Sequence, residues 1–168
     1  GLPPDPGRVG TPERVDPAPL RALWGAGFLP VVSPVANGPL GEAVNVNADE
    51  AALGIARAVG AVTLVYLSDV DGVRLGEHTA ERLDAGEARL RMEDGTIAGG
   101  MALKVRVALE AAGAGIPEVV IAGKARLLGG FPGTRIIWRD TDDRPEGLEG
   151  TDKSLGIRPA GILRGHEV

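Results

Sequence analysis

Two uninterrupted apolar runs, VTLVYL at 62–67 and EVVIA at 118–122, leave this chain few architectures. A strand covered on one face alternates apolar and polar residues, whereas a run without alternation is expected where both faces are covered. Between these runs the spacing turns helical. Ala48 to Val59 carries Ala52, Ile55, Ala56 and Val59 at helical intervals and stops at Gly60, and Met101 to Ala112 is a second amphipathic segment. TRIIW at 134–138 closes the pattern as a further strand. Strands alternating with helices indicate an α/β fold, expected here as a three-layer sandwich. Its mainly parallel sheet would span residues 28–138, with helices on both faces.

The remaining segments fill in this frame. Residues 1–17 hold five prolines and read as an extended arm, followed by a short helix over 17–27. FLPVVSPV at 28–35 predicts a buried strand, interrupted by Pro30 and ended by Pro34. Residues 36–43 are turn material for a hairpin whose return strand carries Val44 and Val46. The stretch 77–93 alternates charge with Ala and Leu, which predicts a solvated helix broken at Gly86. Beyond Trp138 the chain turns acidic and Gly-rich. Residues 1–138 are therefore expected to form the folded region and 139–168 an atypical, solvated tail.

Composition excludes several classes. The net charge of −5, without a basic block, argues against nucleic-acid binding. Cysteine is absent, which removes disulfides, Cys-based metal sites and a thiol nucleophile together. No apolar run approaches the ~20 residues of a membrane span, and GLPPDPGRVG has no signal-peptide core. A cytoplasmic protein with no membrane partner is the expectation. His78 and His166 are isolated in charged stretches, no Ser-His-Asp or zinc spacing is present, and no metal site is expected from protein ligands alone.

Three polar segments can carry chemistry. DGTIAGGMALKV at 94–105 places Gly95, Gly99 and Gly100 before a helix beginning near Met101. Glycine amides approach a ligand without Cβ obstruction, and the helix N-terminus favours an anion. Lys104 leans toward that same end, because helical side chains tilt N-terminally. The chain has only three lysines against fifteen arginines, so this one stands out. NVNAD at 45–49 sets Asn45, Asn47 and Asp49 at a strand-to-helix junction. Asp49 could cap the helix, and the asparagines could close a turn. LSDVDGV at 67–73 ends a strand with Ser68 and Asp69, where open sheets bind nucleotides. A calcium loop is excluded there, since the spaced acidic ligands and final Glu are missing.

Taken together with GTRI at 133–136, these segments resemble the C-terminal, nucleotide-binding half of the amino-acid kinase family, most closely its acetylglutamate kinases. The resemblance runs from about Arg14 to Ile137. It implies transfer of a phosphoryl group from ATP, with Mg²⁺ held mainly by the nucleotide, to the side-chain carboxylate of N-acetylglutamate. It assigns Lys104 to charge on the transferring group and Asp49 to orienting the active-site lysines. Asn45 and Asn47 are placed at the amino-acid substrate. ATP contacts fall on Ser68, Asp69, Val70, Asp71, Gly72, Val73 and Arg74, and on Thr96, Ile97, Ala98, Gly99 and Gly100.

The resemblance further implies homo-oligomers of the full-length enzyme, and an N-terminal half bearing a Lys-x-Gly-Gly strand, a second glycine pair and an arginine. Gly1–Asp16 has no lysine and no paired glycines, and Lys124 and Lys153 stand in the wrong context to replace them. By itself the chain is expected to show little kinase activity. Two alternatives remain: a kinase acting on carrier-linked aminoadipate or glutamate, and a truncated, non-catalytic nucleotide-binding module.

Overall fold

A computed structural model describes residues 9–123 and 133–138. The chain opens with β1 (Val9–Gly10), α1 (Ala18–Gly25), β2 (Val35–Asn37) and β3 (Ala43–Val46). Strand β3 lies between the other two, parallel to β1 and antiparallel to β2. The β2–β3 hairpin is the one expected around Val44 and Val46. Its turn closes where Gly38 N–H donates to the Glu42 carbonyl at 2.7 Å, and Gly41 adopts a φ of +82° that suits glycine.

Helix α2 (Ala48–Val59) leads into β4 (Thr63–Ser68), then the small hairpin β5 (Arg74–Leu75) and β6 (His78–Thr79). There follow β7 (Arg82–Asp84), α3 (Ala85–Glu93), α4 (Gly99–Gly113), β8 (Glu118–Gly123) and β9 (Gly133–Ile137). A second sheet runs β4-β8-β9-β7, with β4/β8 and β7/β9 parallel and β8/β9 antiparallel. The two long apolar runs thus pair side by side and parallel, Leu64 opposite Val119 and Tyr66 opposite Ile121. The α/β sandwich reading is correct, with parallel strands flanked by helices, but the single, mainly parallel sheet over 28–138 is not: among the described residues the strands form separate sheets in which three pairings are parallel and three antiparallel.

The core lies between this second sheet and α2 and α4. Leu64, Tyr66, Val119, Ile121 and Ile136 meet Leu53 and Ala56 of α2 and Val105, Ala108 and Leu109 of α4. Each fully buried aliphatic side chain of this kind contributes about 1.5–3 kcal/mol relative to exposure.

Several expectations need correction. Residues 28–34 form no strand, and 28–35 are not buried: Leu29 is 87% and Val31 93% exposed, and Phe28, Val32 and Val35 are also exposed. Pro30 and Pro34 have no N–H for a ladder, and no described element covers the segment. Strand β4, an edge strand among the described residues, is covered mainly on one face. Leu64 and Tyr66 are buried while Leu67 is 42% exposed. Its neighbour β8 meets the two-sided expectation, with Val119 to Ala122 all buried. In 77–93 the helix begins only at Ala85, and Gly86 lies inside it rather than breaking it. Asp84 caps that start, its carboxylate accepting from Glu87 N–H at 2.9 Å. The expected tail 139–168, Lys124, Lys153 and His166 lie outside the described residues.

Candidate active site

The NVNAD segment folds as a strand end that turns into a capped helix. Asn47 is the N-cap of α2, its side-chain oxygen accepting from the N–H groups of Asp49 at 2.9 Å and Glu50 at 3.2 Å. Asp49 therefore does not cap the helix. Its side chain is left available in the first turn and meets Lys104 of α4, whose Nζ lies 2.7 Å from both Oδ1 and Oδ2. This pair joins residues 55 positions apart and is largely shielded, with 17% of the lysine and 24% of the aspartate side chain accessible. Charge-assisted hydrogen bonds of this length are among the stronger polar contacts in a protein. Helix α4 starts at Gly99, two residues before the expected Met101, so Lys104 sits in its second turn.

The beginning of α4 is open. Ala98 is its N-cap and provides no side-chain acceptor, Gly99 has φ +56°, and a Cβ built on Gly99 or Gly100 would meet nothing within 4 Å. First-turn N–H groups without a side-chain cap, at the positive end of a 15-residue helix, suit an anionic ligand. The approach to this helix is ordered by Asp94, whose carboxylate accepts from Thr96 N–H at 2.8 Å. Hydrogen bonding from Thr96, reinforced by Arg91, holds the Asp94 carboxyl below its ordinary pKa.

Ser68 ends β4 directly opposite Gly123 at the end of β8. The loop that follows is bolted to β9 by Thr134, fully buried, whose Oγ1 accepts from Val73 N–H at 2.8 Å and donates to the Ala80 carbonyl at 2.6 Å. Gly72 makes this possible, because a Cβ there would stand 2.8 Å from Thr134 Oγ1 in a backbone of φ +149°. At the other side of the loop Asp71 lies against Gly123, where a Cβ would also collide.

The sequence-derived residues thus fall into groups. Asp49 and Lys104 are brought into contact. Gly99 and Gly100 stand at the head of the lysine's own helix. Asp69, Val70 and Asp71 are exposed on the loop after β4, and Arg74 is exposed at the start of β5. Val73 and Ile97 are buried in the core, and their N–H groups already donate to Thr134 Oγ1 and the Arg91 carbonyl. Asn45 is exposed on β3, between Val9 of β1 and Val35 of β2. Among the described residues no group of three or more acidic or imidazole side chains could hold a metal ion, and no helix is long and apolar enough to cross a membrane.

Two contributors went unnoticed in the sequence. Thr134 is one. The other is Tyr66, buried on β4, whose ring centroid lies 5.6 Å from Lys104 Nζ and whose hydroxyl donates to the Asp49 carbonyl at 3.4 Å. Burial, and then the Asp49 and Glu110 carboxylates, push its phenol pKa up, so it stays protonated. It is the only tyrosine in the chain, and that rarity was the available signal.

Residues 2–123 match the amino acid kinase family. The chain belongs to that family. It is 43% identical over 136 residues to an acetylglutamate kinase of Rubrobacter xylanophilus, covering 77% of this chain and 53% of that protein. An acetylglutamate kinase of Gluconobacter oxydans is 50% identical over 119 residues, 70% of this chain and 40% of its own length. This amino acid kinase chain thus spans about half the length of the curated relatives it matches. Among solved structures, N-acetylglutamate synthase from Neisseria gonorrhoeae, complexed with coenzyme A and L-arginine, superposes with a TM-score of 0.69 at 28% identity. The match covers 77% of this chain and 32% of that one.

Proposed function

We propose that this chain is the nucleotide-binding part of an ATP-dependent kinase that phosphorylates the side-chain carboxylate of N-acetylglutamate, a step of arginine biosynthesis. The observation that carries the reading is the Asp49–Lys104 pair, whose lysine stands on the helix with an uncapped, exposed glycine N-terminus. In this reading residues 1–138 are the nucleotide-binding region and 139–168 a tail. The acceptor carboxylate is ionised near neutrality and needs no general base. The protein's work is then alignment and neutralisation of charge.

ATP phosphates lie at Gly99 and Gly100, with Thr96, Ile97 and Ala98 leading to them. The segment Ser68–Arg74 contacts the nucleoside end through its exposed residues. Lys104 meets charge developing on the transferred group and Asp49 fixes its position. Asn45 contacts the acid, and Asn47 supports the site by shaping the first turn of α2. Mg²⁺ offsets phosphate charge and is held mainly by the nucleotide. The open glycines fit an anion of this kind. The complete enzyme is cytoplasmic and homo-oligomeric, with ATP and N-acetylglutamate as its ligands and no nucleic-acid or membrane partner.

Two measurements test this. Isothermal titration of the 168-residue chain should show weak ATP binding, and trapping of acyl phosphate with hydroxylamine should show little or no turnover. In a chain extended by the N-terminal half that its relatives carry, turnover should appear. There, Lys104→Ala should lower kcat on the order of 100-fold, the usual effect of removing one preorganised charge contact, with a much smaller effect on ATP affinity. Unchanged turnover removes Lys104 from the chemistry. ATP binding without turnover in the extended chain favours the non-catalytic module, and phosphorylation of a carrier-linked acid instead favours the other kinase.

A further inference from the structure

Lys104 does more than reach Asp49, because it also lies over an aromatic face. Its Nζ is 5.6 Å from the centre of the Tyr66 ring, within the ~6 Å over which a cation is attracted by a ring's quadrupole. The ring itself is buried in the core between β4 and the two helices, so it cannot turn away. Its hydroxyl reaches the backbone carbonyl of Asp49, the residue that binds the same lysine from the other side. Tyr66 therefore touches both members of an ion pair whose partners come from different helices. It does so from β4, the strand that ends at Ser68 and runs into the 69–73 loop.

We infer that Tyr66 is a positioning residue: its ring is the seat that holds the Lys104 ammonium, with Asp49, aimed at the head of α4. Use of that seat for nucleotide phosphates rests on the function proposed above. A carboxylate alone leaves a four-carbon lysine stem free to rotate around it. A rigid ring beneath the ammonium removes that freedom, because side-chain entropy is already spent on packing the tyrosine. The attraction comes from the ring rather than from the hydroxyl, so phenylalanine should replace tyrosine and an aliphatic residue should not.

The test uses the 168-residue chain labelled at lysine Cε. Only three lysine signals arise, and Lys104→Arg identifies the relevant one by its disappearance. The Lys104 methylene protons should be displaced upfield by the ring current in the native chain and in Tyr66→Phe. They should return to the ordinary lysine position in Tyr66→Met, which fills much of the volume without a ring. Binding of ATP relative to adenosine should fall about three- to tenfold in Tyr66→Met and hold in Tyr66→Phe. A purely structural tyrosine would change the melting temperature without changing that ratio. A native Lys104 signal at the ordinary position overturns the inference without any variant, even if Tyr66→Met does not fold. If ATP binds but Tyr66→Met moves neither the signal nor the ratio, the seat is wrong and the proposed function stands. If no nucleotide binds while the lysine signal behaves as described, the seat stands and the nucleotide reading fails.

Discussion

Two apolar stretches of this protein, strand β8 and segment 28–35, end in opposite states. In the β4-β8-β9-β7 sheet, nearly every aliphatic residue of β8 is buried against α2 and α4 or in the sheet's other face. In the β1-β3-β2 region, Phe28, Leu29, Val31, Val32 and Val35 are all exposed, and α1 buries none of its residues. Hydrophobicity is a property of a segment, whereas burial needs a second surface to press against. The second sheet has one in the helices that flank it. The candidate active site sits on the boundary between the two regions, since Asp49 follows β3 whereas Lys104 and Tyr66 belong to the packed half.

The largest effect should come from the centre of the packed half. Ile121, fully buried in β8, pairs with Tyr66 and Thr134 on its two neighbours. Ile121→Ala should cost about 2–5 kcal/mol, the range for large-to-small changes in a core that cannot collapse onto the gap. Urea denaturation followed by far-UV circular dichroism would measure it. A loss below that range would mean the second sheet is packed no better than the first, and the contrast between them would fail.

The next effect separates packing from hydrogen bonding inside that same half. Thr134→Val keeps the shape of a fully buried side chain and deletes its hydroxyl. Val73 N–H loses its acceptor and the Ala80 carbonyl loses its donor. Leaving such groups unsatisfied in the interior costs about 1–3 kcal/mol. Amide hydrogen exchange should show the change concentrated at Val73 and in the loop before it. A loss spread evenly over the sheet would mean that Thr134 does not act as the anchor of that loop.

These same positions show how much could be read from the sequence. Periodicity located α2, α4, β4, β8 and β9 because each has its own internal pattern and a glycine or proline near an end. Lys104 and Asp49 were legible for a similar reason: a rare lysine after a glycine pair and an acid after two asparagines are local signals. Thr134 was not, since its partners are 54 and 61 residues away and nothing in GTRI marks a buried hydroxyl. Tyr66 was hidden inside an aliphatic run, and only the approach of two helices places a cation above it. Segment 28–35 failed in the other direction. Its composition matched a buried strand, but two prolines deprived it of donors and no described surface meets it. The edge position of β4 was equally invisible, because strand order is a property of the assembled sheet.

The smallest expected effect lies in that exposed segment and is the sharpest test of the comparison. Val31 is 93% exposed, so Val31→Ala removes two methyl groups that are already in water. Substitutions at such positions usually change stability by no more than about 0.5 kcal/mol in either direction. Measured by the same urea titration, the result should be nearly indistinguishable from the parent chain, even though valine and isoleucine would rank alike on any hydropathy scale. The same substitution in the extended chain then reports on the surface itself. If the further length carried by the relatives packs on residues 28–35, the cost should rise toward the ~2 kcal/mol or more of a core truncation. If it stays near zero in both lengths, the segment is solvated in the longer protein too, and its apolar character answers to something other than the fold of one chain.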